Sequence, residues 1–418
     1  MDVLSRPLGD RTLPLLVEGY GWLPNRMRDS AGPVVRTRLL GRPALALRGP
    51  DAVRFFYDER NVQRHRAIPE PVLGTLFGHG AVHTLDGPAH RARKGLFLPL
   101  MEPDRIARLV DHVTAAWDEA VLAWSGRDSV VLFDEASTVL TRGVHHWAGV
   151  PPADAGAEST ARDMIAMVDG FATAGPRHLR ARRARARQEE RLAALVTGVR
   201  SGRVPAPAGS VLDLVCRHRD ADGGALDADT AAVELLNVLR PTVAVSWFVA
   251  FAAHALHRRP GHRAALRAGD PASTAAFTHE VRRFYPFVPF LGGLAVRDLE
   301  WRGEALPAGG LVVLDVYGQN HDEELWGDPY VFRPERFRDR APGDDTLIPQ
   351  GGGDPRTGHR CPGEGVTVGV LEALTQRLAR LEYTVPEQNL TIALHRVPTR
   401  PRSGVVVTGV RPPREETG

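Results

Sequence analysis

The stretch Gln350-Gly351-Gly352-Gly353-Asp354-Pro355-Arg356-Thr357-Gly358-His359-Arg360-Cys361-Pro362-Gly363-Glu364-Gly365 is a glycine-rich loop with a single cysteine. It runs straight into an apolar helical pattern through Val366, Gly369, Val370, Leu374 and Leu378. A cysteine at a helix start is a place where a thiolate is stabilised, because the macrodipole favours negative charge and the first-turn N–H groups lack partners. Pro362 suits a first helical position and leaves the amides of Gly363 and Glu364 to point at the sulfur. The three glycines let the backbone run close to something large and flat. The combination predicts an anionic sulfur offered to a haem iron; the plainer alternative is a buried thiol.

Two further signatures fall in order around it. Glu280-Val281-Arg282-Arg283 places an acid and a base one helical turn apart, which by itself is an ordinary i,i+3 pair. Pro334-Glu335-Arg336-Phe337 supplies another arginine between that helix and the cysteine loop. Taken together, the three segments resemble those of the cytochrome P450 superfamily: the cysteine-ligand loop, the Glu-x-x-Arg helix, and the segment whose arginine locks onto that pair.

The chain has 418 residues, of which 43% are hydrophobic and 25% charged, as in a soluble globular protein. With no linker composition and no repeat, we expect one mainly α domain over residues 1–418 with a small β region. Two cysteines allow neither a disulfide framework nor zinc spacing. Cys216, in an apolar helical pattern, reads as a packed core or surface thiol. Met1-Asp2-Val3-Leu4-Ser5-Arg6-Pro7-Leu8 shows no long apolar run and no cleavage signal, so a cytoplasmic protein without a membrane anchor is expected. The arginine-rich run from Arg177 to Arg187 has no interleaved aromatics and is followed by Gln188-Glu189-Glu190; it reads as a solvated helix face, not a nucleic-acid patch.

Along the chain, Val34–Leu40 and Ala44–Leu47 alternate about Gly41-Arg42-Pro43, a hairpin signal. Helices are expected over Asp51–Phe56, after Asp86-Gly87-Pro88, and over Asp104–Trp124, Phe133–Trp147, Ala157–Thr173 and Arg177–Val199. The longest begins at Asp227 or Asp229, either a fitting N-cap, and continues to Leu256. It spans roughly 40–45 Å and is apolar nearly all round, as a helix through a large core or a membrane would be. Arg240 and Glu234 favour the core. Short strands are expected at Phe290–Val296, Leu299–Arg302 and Leu311–Leu314, and a small sheet from Leu381–Val385 and Gly404–Thr408.

In the middle of the long helix the sequence reads Asn237-Val238-Leu239-Arg240-Pro241-Thr242. Most members of the superfamily carry an acid–alcohol pair here; in this chain a fixed cation and a proline stand instead, with Thr242 a remaining hydroxyl. Pro241 removes a helix hydrogen bond and opens room. A guanidinium in an apolar pocket is costly unless an anion meets it, and its planar fork suits a carboxylate. Glu234 is six positions away. Either the substrate brings the carboxylate, or an acid distant in sequence or a haem propionate does.

The Arg-Pro replacement resembles the fatty-acid peroxygenase branch of the superfamily. So do Gln63-Arg64, Leu76-Phe77-Gly78, Asp86-Gly87, Val168-Asp169-Gly170-Phe171 before Gly175-Pro176-Arg177-His178, Arg283-Phe284-Tyr285-Pro286-Phe287, and Asp354 seven residues before Cys361. The resemblance implies haem b ligated by the Cys361 thiolate, hydrogen peroxide as co-substrate, a long-chain fatty acid held by Arg240, and no obligatory redox partner. It implies oxidation at the α and β carbons to a terminal alkene, to 2- or 3-hydroxy acids, or to both. His83 is implied above the haem, where alkene-forming members often carry histidine and hydroxylating members glutamine, with Phe77 packed against it; a purely structural histidine is the alternative. Arg64, His90, Lys94 and His359 are implied on the haem propionates. Leu76, Phe77, Val168, Phe171 and Phe287 are candidates for the alkyl channel, or plain core. The competing functions are a reductase-dependent monooxygenase, for which Thr242 speaks, and a non-catalytic haem or fatty-acid carrier. Monomer and weak dimer are both compatible with the sequence.

Overall fold

The computed structural model describes residues 9–30, 32–151, 156–171, 173–339 and 341–412. The stretch Met1–Leu8, on which the expectation of no leader rests, lies outside them.

The protein is mainly helical, and its organising element is the long helix. It runs as Ala228–Val243 and Val245–Arg258, interrupted at Ala244, with the Asp227 side chain capping its start by accepting from the Thr230 N–H. Among the described residues it is the one helix long and apolar enough to cross a membrane, and it is 94% buried inside the protein. Leu132–Ala148, Pro176–Arg200, Pro271–Phe284 and the cysteine-proximal helix Glu364–Arg380 pack around it. Their apolar stripes form the main core, including Phe133, Leu140, Leu192, Trp247, Phe251, Val370 and Leu374.

Among the described residues the β region is a five-stranded sheet and two smaller ones. Val34–Leu39 and Arg42–Leu47 form the expected hairpin, but the turn is Leu40-Gly41, both with positive φ, and Arg42 and Pro43 already belong to the second strand. A two-residue turn of that kind matches the strand twist. Arg42–Leu47 then pairs in parallel with Leu311–Asp315, which pairs antiparallel with Phe290–Ala295. Val406–Arg411 joins Val130–Val131 and Glu382–Thr384 in the C-terminal sheet.

Glu280 and Arg283 are fully buried and meet in a two-pronged ion pair, with contacts of 2.7 and 2.8 Å. Arg336 Nε lies 3.2 Å from the other side of the same carboxylate, and the Arg333 N–H donates to it at 2.7 Å. Arg283 Nη1 also donates to the Asn320 and Pro329 carbonyls, at 2.8 and 2.9 Å. This knot ties the helix to the segment that leads into the cysteine loop. The preceding residue, Arg282, reaches the loop itself through Gln350 and Glu364.

Candidate active site

The helix after Cys361 begins at Glu364, so Pro362 lies in the turn before it and not in its first turn. The first helical bond runs from Thr367 N–H to the Gly363 carbonyl, and the Gly363 N–H, ahead of the helix, points to the Cys361 sulfur. Burial pushes the Cys361 thiol up; the Gly363 N–H, and then the charges of Lys94 and Arg360, oppose it. The glycines also serve a protein neighbour. A side chain on Gly351 would collide with the Tyr57 hydroxyl, and one on Gly352 with Val53. Those glycines therefore let the loop press onto the Pro50–Tyr57 helix.

Although it lies deep in the fold, Cys361 keeps accessible surface, as does Pro241 on the long helix, while Arg240, Thr242 and Arg360 are buried. Pro241, lacking an N–H, donates nothing to the Asn237 carbonyl. The Thr242 hydroxyl donates to the Val238 carbonyl at 2.9 Å, so its proton is committed to the helix backbone.

Arg240 is 6% exposed. Its Nη2 donates to Asn237 Oδ1 at 3.2 Å and its Nε has no partner. Burial pushes it down to about 9; the neighbouring Arg185 pushes the same way, and Cys361 is the group that pulls it back up. Glu234 faces the other way along the helix. Its carboxylate is taken by Arg93 Nη1 at 2.8 Å and the Val82 N–H at 2.7 Å. It reaches Arg240 only through Asn237, whose Nδ2 lies 3.2 Å from Glu234 Oε2 and 3.1 Å from the Phe77 carbonyl.

His83 packs against Phe77 with ring centroids 4.4 Å apart, and its Nδ1 is buried without a partner. Burial, reinforced by Arg240, holds its pKa down at about 3. At neutral pH this imidazole therefore offers a hydrogen bond from a neutral ring, not an imidazolium proton.

The four expected haem-side cations converge, with different occupations. Arg64 is buried, stacked on Phe56 at 4.1 Å, and its Nη1 has no partner. His90 stacks on His359 at 4.0 Å with an unpartnered Nδ1, and burial lowers it to about 3. His359 Nε2 sits 3.2 Å from Asp86. Lys94 donates to the Gly358 and Arg360 carbonyls, the latter at 2.9 Å, so two of its three donors hold the cysteine loop. Buried donors without acceptors on Arg64 and His90, beside an open cysteine, fit a large ligand with anionic edge groups, as haem has.

Of the expected channel residues, Val168 lies in the main core, with Leu76 and Phe287 packed against it. Phe287 touches Phe248 and Trp247, at 5.1 and 6.0 Å. Phe171, half-buried in the turn after Gly156–Gly170, is not part of that cluster.

Three residues of the site escaped the sequence reading: Asn237, Arg93 and Arg185. Arg185 was counted into a solvated face, yet it is 2% exposed. The missed signal was position: Ala181, Ala184, Arg185, Gln188, Leu192 and Val196 form one helical stripe, and all are buried.

Comparison with known proteins places this geometry among relatives. The family pattern described as Cytochrome P450 matches residues 273–392. Among curated proteins, abscisic acid 8'-hydroxylase 3 of Oryza sativa subsp. indica is 26% identical over 367 residues, covering 79% of this chain and 70% of the rice protein. Solved structures resemble it more strongly. Cytochrome P450SP alpha (CYP152B1) in complex with (R)-ibuprophen is 40% identical with a TM-score of 0.93, over 96% of this chain and 99% of that one. Cytochrome P450EX alpha (CYP152N1) with myristic acid is 37% identical with a TM-score of 0.93, over 99% and 100%. Ligand-free cytochrome P450 OleT is 36% identical with a TM-score of 0.95, over 99% of each chain.

Proposed function

Because the chain belongs to the cytochrome P450 family, we propose that it is a haem-thiolate peroxygenase that oxidises long-chain fatty acids at the α and β carbons with hydrogen peroxide. The products are terminal alkenes, 2- or 3-hydroxy acids, or both. The observation that carries this reading is Arg240: a buried guanidinium on the long helix whose charge no carboxylate among the described residues meets. Such a group binds an anion bidentately at a large gain over leaving it alone. The myristic acid bound by one relative fits the same chemistry.

Haem, held by Cys361 with Arg64, His90, His359 and Lys94 toward its carboxylates, would supply the oxidising chemistry when bound. The side chains do the rest. Arg240 holds the substrate carboxylate, and that carboxylate can accept a proton from peroxide and return it to the departing oxygen, a role for which Pro241 and Thr242 offer nothing. Anchoring the chain at its acid end keeps Cα and Cβ nearest the reacting position, while Leu76, Val168 and Phe287 orient the alkyl chain and exclude water. Hydroxylation consumes one peroxide and releases one water. Decarboxylation consumes one peroxide and yields the alkene, carbon dioxide and two waters. The neutral His83 ring can donate a hydrogen bond near the carboxylate, which supports the branch toward the alkene.

We read residues 1–418 as one catalytic domain, cytoplasmic, without nucleic-acid partner, and a monomer or weak dimer. No reductase is required in this scheme. Purified haem-loaded protein given myristic acid and hydrogen peroxide, with no electron donor, is expected to yield alkene or hydroxy acid by mass spectrometry. Turnover that appears only with a reductase would overturn it, and so would tight fatty-acid binding with no product.

A further inference from the structure

Residues Leu73–Phe77 form a short turn with wide i→i+5 bonding, closed by Gly78 N–H donating to the Leu73 carbonyl at 2.9 Å. The carbonyls at the end of such a turn have no partner within it. Two of them are satisfied from outside, by two different helices. The Phe77 carbonyl accepts from Asn237 at 3.1 Å, and the Leu76 carbonyl accepts from Arg185 Nη1 at 2.6 Å.

Arg185 is built into this place. It is 2% exposed, and its other arm, Nη2, pairs with Glu189 at 2.7 Å one turn along its own helix. Gly78 has φ +88°, and a side chain there would overlap Arg185 Nη2 and come within 2.7 Å of Val233. The glycine is what lets the guanidinium lie flat against the turn. A cation at the C-terminal end of a helical turn is also favoured by the local dipole. Release of the Leu76 carbonyl frees the Cα of the next residue, and that residue carries the ring packed 4.4 Å from His83.

We propose that Arg185 is a positioning residue: by holding the Leu76 carbonyl it fixes the Phe77 ring against His83, and so sets which of the two carbons beside the anchored carboxylate is oxidised. This rests on the fatty-acid reading above. In this proposal Arg185 acts through the Phe77 ring and is not itself a catalytic residue.

The test uses full-length haem-loaded protein with myristic acid and peroxide, comparing wild type with Arg185→Met, Arg185→Lys, Phe77→Ala and the Arg185→Met/Phe77→Ala pair. R185M is expected to change the ratio of α- to β-carbon products by roughly threefold or more, the weight of one lost hydrogen bond, with kcat within about threefold of wild type. Amide exchange across residues 73–83 of the substrate-free protein rises in the same variant. In the Phe77→Ala background, R185M adds nothing, because the route is already cut. An unchanged product ratio in R185M overturns the proposal even where amide exchange rises, since Arg185 would then be packing alone. An additive effect in the double variant overturns it as well. Should R185M fail to fold, the other single variants decide: R185K keeps the charge but loses the planar fork, Phe77→Ala removes the ring, and an unaltered ratio in Phe77→Ala sinks the idea. Wild-type protein that forms no product in the same assay counts against the proposed function instead.

Discussion

Asn237 accepts from Arg240 across 3.2 Å, and it stands between that guanidinium and Glu234 on the same helix. The amide passes orientation between the two without passing charge, so Arg240 keeps its positive charge for a guest. Asn237→Asp would place an internal carboxylate at the same atoms. The guest acid would then compete with a resident one, and KM for myristic acid is expected to rise about tenfold or more, the size of one charge-assisted hydrogen bond. A KM within twofold of wild type would mean that Arg240 does not receive the substrate.

Arg240→Leu keeps the volume and removes the dock. Truncating one side of a buried charged contact costs on the order of 2–5 kcal/mol, so kcat/KM for fatty acids should fall at least about thirtyfold. Peroxide-driven turnover measures it. Retained rates would dismiss the docking scheme while leaving the fold untouched.

His83→Gln tests the branch between products. The neutral imidazole and a glutamine amide both donate a hydrogen bond, but only the former stacks on Phe77 as an aromatic ring. Hydroxy acid is expected to increase at the expense of alkene, read by mass spectrometry. An identical ratio removes the histidine from the chemistry and leaves it a packing residue.

What the sequence revealed and what it hid follow from distance along the chain. Glu280 and Arg283 are one turn apart and Cys361 sits in a loop dense with glycine and proline, so local spacing exposed both. The long helix was legible because its apolar residues continue around every face. Arg185 was hidden because its burial depends on what covers it: Gly78, more than a hundred residues earlier in the chain, folds back onto its helix. Lys94 likewise could be placed on the right helix, yet its bonds to the Gly358 and Arg360 carbonyls arise only when the cysteine loop arrives. The glycines before Cys361 signal close approach, but the protein neighbours they admit, Val53 and Tyr57, are some three hundred residues away and invisible to local spacing.

Glu280→Gln leaves two guanidiniums, Arg283 and Arg336, around a neutral amide that is itself fully buried. Breaking a buried pair in this manner costs roughly 3–5 kcal/mol, a large part of a domain's stability. Chemical denaturation should show that loss, or the variant should fail to accumulate as soluble protein. A midpoint equal to that of wild type would mean the knot contributes nothing to the fold.

Acid should unfold this protein through its buried imidazoles. His145, His254, His279 and His321 lie away from the haem-side cluster, and burial lowers each to about 4. In the unfolded chain the same groups titrate near ~6.5. Between those values the unfolded state binds protons that the folded state refuses, so stability is complete above about pH 6.5 and declines as the pH falls toward 4. His145 isolates one share of this effect, because its Nε2 is buried without a partner. With His145→Gln, the loss of unfolding free energy between pH 7 and pH 5 should be smaller than in wild type by roughly 1–2 kcal/mol. Urea midpoints at the two pH values measure it. Equal losses in the two proteins would show that His145 titrates alike in both states, and that its burial does not keep it neutral.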